Sequence, residues 1–204
     1  MKLNRAIPLL LVFGALMSFS AKAELSIQIT QGIDNPIPIA IVPFSWEGSG
    51  VLDEAIGDIV TADLQQVGEF RALSPSNMLA MPREEREVYY RDWSVLAQDY
   101  LLVGKVQRAP GSELIQVQYE FFDINREIKL AGEVLTGTAA QLRDIGHEIS
   151  NVVFELVTGT RGAFTTQILY VVSEFVSSEE SYFRLEKADY DGRRAQVLLE
   201  SREP

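Results

Sequence analysis

The chain alternates between segments with strand periodicity and segments with helical periodicity. In residues 25–30, Leu25, Ile27 and Ile29 share one face and polar side chains share the other, which predicts a half-buried strand. Residues 37–44 form a near-continuous apolar run, which is typical of an interior strand. Further short strands are predicted at residues 70–73, 100–107, 115–121 and 129–135.

Two longer segments have the spacing of amphipathic helices. In the first, Asp53 or a nearby residue is the candidate N-cap and Gly68 the candidate C-cap. A short helical segment is expected around Trp93. Together with about five strands, the two long helices predict a mixed α/β layer that closes near Thr160, with both helices on one face of the sheet. The apolar positions of the two helices are Ile56, Ile59, Val60, Leu64 and Val67, and Leu142, Ile145, Ile149, Val152, Val153 and Leu156.

The last 40 residues have a different pattern. Three short strands are predicted at 167–173, 182–188 and 194–199, with a tight turn at Asp191-Gly192 between the last two. Three such strands cannot bury an adequate core by themselves. We therefore expect residues 161–204 to open a repeated β unit, such as a propeller, and the chain to be truncated.

The N-terminus has the pattern of a cleavable export signal. Lys2 and Arg5 precede an apolar run at 6–19, and Ala21 and Ala23 complete a small-x-small motif, so cleavage is expected after Ala23. A membrane anchor is the alternative interpretation, but about 14 apolar residues are fewer than the roughly 20 that span a bilayer. Because the chain has no cysteine, neither a lipid anchor nor a disulfide is expected. The pattern predicts a signal peptide at 1–23 and a periplasmic protein.

The net charge of the mature chain limits the classes of partner that it is expected to bind. Removing residues 1–23 takes away three of the 18 basic residues and leaves 15 against 29 acidic residues, a formal charge of −14. Such a chain repels phosphate backbones and anionic lipid headgroups, so we expect neither nucleic-acid binding nor direct membrane insertion. A basic partner is compatible with this charge, and so is a purely solubilising role.

The residues that carry most enzyme chemistry are scarce. The single histidine, His147, lies roughly 200° around its helix from Ile145, which predicts a solvent-exposed side chain rather than a catalytic one. Zinc sites of the His/Cys type are excluded by count. We therefore expect no catalytic residues, no metal site and no cofactor.

Two loop motifs each lack a glycine at a position where the corresponding binding loop requires one. Gly48-x-Gly50 follows a strand, but Asp53 stands where a dinucleotide loop has its third glycine. A calcium loop starting at Asp189 would reach Glu200 at its twelfth position, but Arg194 stands where its glycine is required. A β-turn is the better interpretation of the second motif.

Two other functional classes stay open. Because carboxylates are plentiful, an exported hydrolase with acidic residues in a β-propeller funnel is one alternative. A sugar- or peptide-binding module is the other. Trp46 and Trp93 are interpreted as core or interface residues.

Five sequence strings, in this order and spacing after a signal peptide, resemble the TolB family of the Tol-Pal system. They are PIAIVPFSWEG (38–48), IGDIVTADLQQVGEF (56–70), YLLVGKV (100–106), TGTRGAF (158–164) and ADYDG (188–192). The resemblance covers essentially all of the mature chain. It implies an N-terminal α/β domain at 24–160 followed by the start of a six-bladed β-propeller at 161–204.

The resemblance also implies a role. Members of the family are non-enzymatic periplasmic adaptors that connect Pal at the outer membrane with TolA at the inner membrane, and support outer-membrane integrity and invagination during cell division. It implies that Pal binds mainly to the propeller and TolA to the mature N-terminus. The residues to which this TolA-binding role maps are Glu24, Leu25, Ser26, Ile27, Gln28, Ile29, Thr30, Gln31, Gly32, Ile33 and Asp34.

Overall fold

The computed structural model describes residues 35–175 and 181–202, which form two β-sheets and three α-helices. The predicted signal at 1–23, its cleavage residues Ala21 and Ala23, and the segment 24–34 lie outside the described residues. The elements are β1 (Ile37–Ile41), β2 (Ser45–Trp46), α1 (Ile56–Gln66), β3 (Phe70–Ala72), α2 (Tyr90–Val95), β4 (Tyr100–Arg108), β5 (Ile115–Asp123), β6 (Ile128–Gly137), α3 (Leu142–Thr158), β7 (Gln167–Phe175), β8 (Ser181–Asp189) and β9 (Gln196–Ser201).

The first sheet is mixed, as the sequence predicts. Its strand order is β3-β1-β4-β5-β6, and the short β2 pairs with β4. β1 runs parallel to both β3 and β4, whereas β4, β5 and β6 form an antiparallel meander. The turn between β4 and β5 contains Gly111, at φ +67°. With its helices, this sheet confirms the predicted mixed α/β class.

β1 is an interior strand because both of its faces are covered. Ile39 and Ile41 point into the core that contains the long helices, while Ala40 and Val42 point into a second cluster on the opposite face. Trp93 of α2 fills that second cluster and is almost fully buried. A strand covered on both sides has no polar face, which explains the near-continuous apolar run.

The two long helices cover one face of the sheet, as predicted. Val60 of α1 and Ile149 of α3 are fully buried in the same core cluster. Leu156 of α3 departs from the predicted stripe: it is 45% exposed, and Val157 packs against the core instead.

Only the C-terminal end of α1 agrees with the prediction. Gly68 follows the helix at φ +78°, a conformation that glycine adopts without a Cβ penalty. The N-cap is Ala55, which makes no side-chain capping bond, so the expectation of a cap from Asp53 is wrong. The helix begins at Ile56, which is the first apolar position of the predicted stripe and is buried.

The helices α1 and α3 approach each other closely at Gly146. A Cβ atom at this position would lie 2.9 Å from Cγ2 of Ile59, nearer than side chains normally come. The absence of a side chain at Gly146 therefore lets α3 lie directly on α1. This close approach brings the polar residues beside Gly146 against α1.

The second sheet is antiparallel, in the order β7-β8-β9, and confirms the three predicted strands. Gly192, at φ +81°, closes the turn between β8 and β9, and its N–H donates to the Asp189 carbonyl at 2.9 Å. Val171, Leu185 and Leu199 lie side by side across the three strands, and Val171 and Leu199 are more than half exposed. No helix among the described residues is long and apolar enough to cross a bilayer.

Candidate functional site

His147 is buried, which corrects the prediction that it is a solvent-exposed residue. Only 2% of its surface is accessible. The helical period places it away from the sheet correctly, but α1 and the turn after β8 cover that side of α3. A helix that is enclosed on two sides buries a polar stripe as well as an apolar one.

The polar stripe of α3 binds a carboxylate that is buried in α1. Nδ1 of His147 lies 2.8 Å from Oδ2 of Asp63, and the Ser150 hydroxyl donates to the same oxygen at 2.6 Å. All three residues are at least 98% buried. Asp63 therefore exchanges water for two buried side-chain partners, which offset the cost of burying its polar atoms.

These three residue types are those of a Ser-His-Asp triad, but their geometry differs. In a catalytic triad the serine donates to the histidine, and the carboxylate holds the other ring nitrogen. Here the Ser150 hydroxyl donates to Asp63 at 2.6 Å instead, and its oxygen lies 3.1 Å from the Gly146 carbonyl oxygen. The arrangement lacks the serine–imidazole contact that would activate a nucleophile.

Two reciprocal ion pairs join α3 to the turn between β8 and β9, residues 189–194. Arg143 of α3 pairs with Asp191 and, at 3.3 Å, with Glu54. Arg194 of the turn pairs with Asp144 of α3 and donates to Asp189 at 2.6 Å. Because each side supplies both charges, this junction fixes the turn in one position on the helix.

The ring of Tyr190 packs against α3 and against the segment that leads from α3 to β7. Its ring meets those of His147 and Phe164 edge-on, at centroid distances of 5.9 and 5.4 Å. Its hydroxyl lies 3.3 Å from Oε1 of Gln66. Burial, and secondarily the Asp63 carboxylate, raise the pKa of Tyr190 because they disfavour the phenolate.

The segment after α3 is held by one amide side chain. Oδ1 of Asn151 accepts the Phe164 backbone N–H at 3.1 Å, and its Nδ2 donates to the Thr165 hydroxyl at 3.1 Å. Gly159, at φ +77°, ends the helix and turns the chain back. Asn151 thereby fixes Phe164 in the core at the point where the chain passes to β7.

Three possible metal ligands converge in the junction. One ring nitrogen of His147 and one carboxylate oxygen each from Asp189 and Asp191 lie within 4.8 Å of one another. A cavity of about 320 Å³ is lined by Asp63, Arg143 and Asp191, and one of about 150 Å³ by His147 and Asp189. We call Asp63, Arg143, His147, Asp189, Tyr190 and Asp191 the junction cluster.

The turn prediction at Asp189 is confirmed. The Asp189 N–H donates to the Arg193 carbonyl at 2.9 Å, which closes the turn tightly. Glu200, the twelfth position of the calcium motif, lies in β9 and pairs in register with Arg184. The motif therefore does not wrap around a single ion in the manner of a calcium loop.

The comparisons with known proteins identify the family. Residues 25–130, just over half of the chain, match the TolB amino-terminal domain. The chain belongs to the TolB amino-terminal domain family.

Full-length relatives agree with this assignment. The Tol-Pal system protein TolB of Pseudomonas fluorescens SBW25 is 40% identical over 96% of this chain and 45% of its own length. The protein of the same name from Hahella chejuensis is 42% identical over 93% of this chain and 44% of its own length. The chain therefore spans less than half the length of the curated relatives it matches.

A crystal structure supports the fold over most of the chain. TolB from Acinetobacter baumannii superposes with a TM-score of 0.72 at 28% identity, over 87% of this chain and 42% of that one. The mixed α/β layer with a further three-stranded sheet thus matches the fold of a solved TolB.

The sequence-predicted site and the junction cluster are different parts of the chain. The predicted residues, Ala21, Ala23 and 24–34, lie outside the described residues. The junction cluster was missed, although one signal was present. Asp63 occupies a position of the apolar stripe of α1, three residues after Val60 and four after Ile59, where an acid has to find a buried partner.

Proposed function

We propose that this chain is the N-terminal part of a non-enzymatic periplasmic adaptor of the Tol-Pal system. The adaptor links Pal at the outer membrane to TolA at the inner membrane, and so supports outer-membrane integrity and invagination during cell division. The observation that carries the proposal is the match to the TolB amino-terminal domain. The names of the relatives, which are Tol-Pal system proteins, agree with it.

In this proposal TolA binds residues 24–34 of the mature chain. The alternation of Leu25, Ile27 and Ile29 suits a segment that adds as a strand to a partner's sheet. Backbone hydrogen bonds would supply affinity, and the apolar side chains would enter pockets on the partner. Cleavage after Ala23 creates the free end at Glu24 from which this strand starts.

Residues 161–204 are proposed to be the first strands of a β-propeller, to which Pal binds. The apolar stripe of Val171, Leu185 and Leu199 supports this assignment, because blades of a propeller pack face to face. The division into an α/β domain at 24–160 and a propeller at 161–204 belongs to the same proposal.

A calorimetric titration of TolA into the mature chain tests the proposed strand. Replacing Leu25, Ile27 and Ile29 together by Ser should abolish TolA binding, and deleting residues 24–34 should do the same. The matched control replaces Ser26, Gln28 and Thr30 by Ala, which changes the opposite face of the same strand and should retain most of the affinity. Equal affinity of the two triple variants would contradict the proposal.

The role of the export signal can be tested in the same titration. A chain that keeps residues 1–23 has no free end at Glu24 and should bind TolA much more weakly than the cleaved chain. Unchanged affinity would show that the free end is not part of the binding segment. Both chains should unfold at the same urea concentration, since the change lies before β1.

A further inference from the structure

The junction cluster contains three side chains that can act as metal ligands, and the carboxylates of Asp189 and Asp191 are paired with Arg194 and Arg143. Asp189 and Asp191 contribute carboxylate oxygens, and His147 a ring nitrogen, within 4.8 Å of one another. Ligands around one Zn²⁺ ion, at about 2.0–2.2 Å from it, lie roughly 3.4 Å apart in a tetrahedral site. To hold one ion the three atoms would have to move closer together, with Asp191 released from Arg143 and Asp189 from Arg194, which also pairs with Asp144.

A second, independent observation concerns the unused nitrogen of His147. Nε2 is buried and has no hydrogen-bond partner among the described residues, whereas Nδ1 faces Asp63. The Asp63 oxygen that Nδ1 faces also accepts the Ser150 hydroxyl proton. Asp63 thus engages Nδ1, and Nε2 is the ring nitrogen that is left for a ligand.

This arrangement is the one that prepares a histidine for metal binding. In metal sites the ligating histidine commonly donates its other N–H to a carboxylate, which fixes the tautomer and the ring orientation. Asp63 takes that position here, from a different helix. One imidazole nitrogen with two carboxylates is a mixed nitrogen and oxygen set, which suits divalent transition metals of the zinc type.

Arg143 supplies positive charge to the same carboxylates. It pairs with Asp191, and its Nε lies 3.7 Å from Oδ2 of Asp189. That Nε is itself buried without a hydrogen bond among the described residues. Glu54 lies 3.3 Å from Nη1 of Arg143. The guanidinium would therefore keep this partner after it leaves Asp191.

We propose that His147, Asp189 and Asp191 bind a divalent transition-metal cation of the zinc class. Asp63 positions His147, and Arg143 is the counter-cation that the metal displaces toward Glu54. The cavity of about 150 Å³ lined by His147 and Asp189 provides the entry path. A bound ion would join α3 to the turn between β8 and β9, and so tie the α/β layer to the three-stranded sheet.

Titration of the untagged, chelator-treated chain tests the site with Zn²⁺ in a calorimeter and Co²⁺ by visible absorption. One ion per chain is expected, with a histidine-containing Co²⁺ spectrum. H147Q and D191N should each weaken binding about tenfold or more. E113Q is the matched control, because its side chain is 98% exposed, and it should bind like the parent. R143Q removes the guanidinium that competes with the metal for Asp191, so this variant should bind the metal more tightly than the parent chain.

Nuclear magnetic resonance of the parent chain gives a test that needs no variant. Because His147 is the single histidine, its two ring nitrogens are assigned without ambiguity. Zn²⁺ should shift the Nε2 resonance more than the Nδ1 resonance, because Nδ1 faces Asp63. An Nε2 resonance that Zn²⁺ leaves unchanged would overturn the proposal. So would a parent chain that binds no metal, or binding that a folded H147Q variant retains in full.

Discussion

Nδ1 of His147 lies 2.8 Å from a carboxylate oxygen of Asp63, although the two residues are 84 positions apart. The contact joins α3 to α1 on the side that faces away from the sheet. The ring of Tyr190 packs against that of His147, with the two ring centroids 5.9 Å apart. The pair therefore connects the two long helices with the entry to the second sheet.

The His147–Asp63 pair should contribute coupled stability. H147A leaves the Asp63 carboxylate buried with one donor fewer, which costs about 1–3 kcal/mol. D63A should cost a similar amount, and the double variant clearly less than the sum, because neither partner is then left alone. Urea unfolding of the four chains measures this coupling. Strictly additive losses would mean that the two side chains act independently.

Gly146 should tolerate no branched side chain. G146V places atoms against Ile59, 2.9 Å from the Cβ position, and overpacking of this kind costs about 1–3 kcal/mol. G132V is the matched control, since its Cβ would be 3.4 Å from the nearest atom. Thermal unfolding of both variants decides the matter. If G146V melts no lower than G132V, the close packing of α3 on α1 does not depend on Gly146.

Asn151 should protect the segment that leads into the second sheet. N151A leaves the buried Phe164 N–H without its acceptor, at a cost of about 1–3 kcal/mol. Hydrogen exchange at the Phe164 amide should accelerate strongly. N125A removes an exposed amide that bonds Asp99, and should leave that exchange rate unchanged. Equal exchange rates in the two variants would contradict the assigned role of Asn151.

Tyr190 should make the fold sensitive to alkali. Burial and the Asp63 carboxylate raise the pKa of Tyr190 above its ordinary value of 10.0. The stability from its neutral phenol is therefore complete below about pH 10 and is lost as the pH rises through the folded-state pKa. Y190F removes this contribution, so the free energy of unfolding of the variant should fall less between pH 9 and pH 11.

The control for this prediction is Y89F, which alters an exposed tyrosine. Its free energy of unfolding should fall with pH as steeply as that of the parent chain. Urea unfolding at pH 9 and pH 11 compares the three proteins. Parallel losses in Y190F and the parent would show that Tyr190 ionises equally easily in the folded and unfolded states.

Much of the architecture follows from local patterns. The alternation across residues 115–121 and the helical period of residues 142–156 specify β5 and α3 because one face of each is buried in an apolar core. Gly68, Gly111 and Gly192 mark three turns, since positive φ favours a residue without a Cβ. Such features depend on neighbours within a few residues, so the sequence alone predicts them.

The junction cluster depends instead on tertiary packing. Nothing near His147 in the sequence indicates that α1 and the turn at 189–194 will enclose it, because its partners Asp63 and Tyr190 come from distant segments. The pattern of α3 distinguishes apolar from polar positions, but it cannot tell a polar stripe that meets water from one that meets buried partners. By itself, the sequence determined the elements, their order and the family. The tertiary structure decided which polar residues are buried together, because hydrogen bonds and ion pairs between distant segments exist only after the layers have packed.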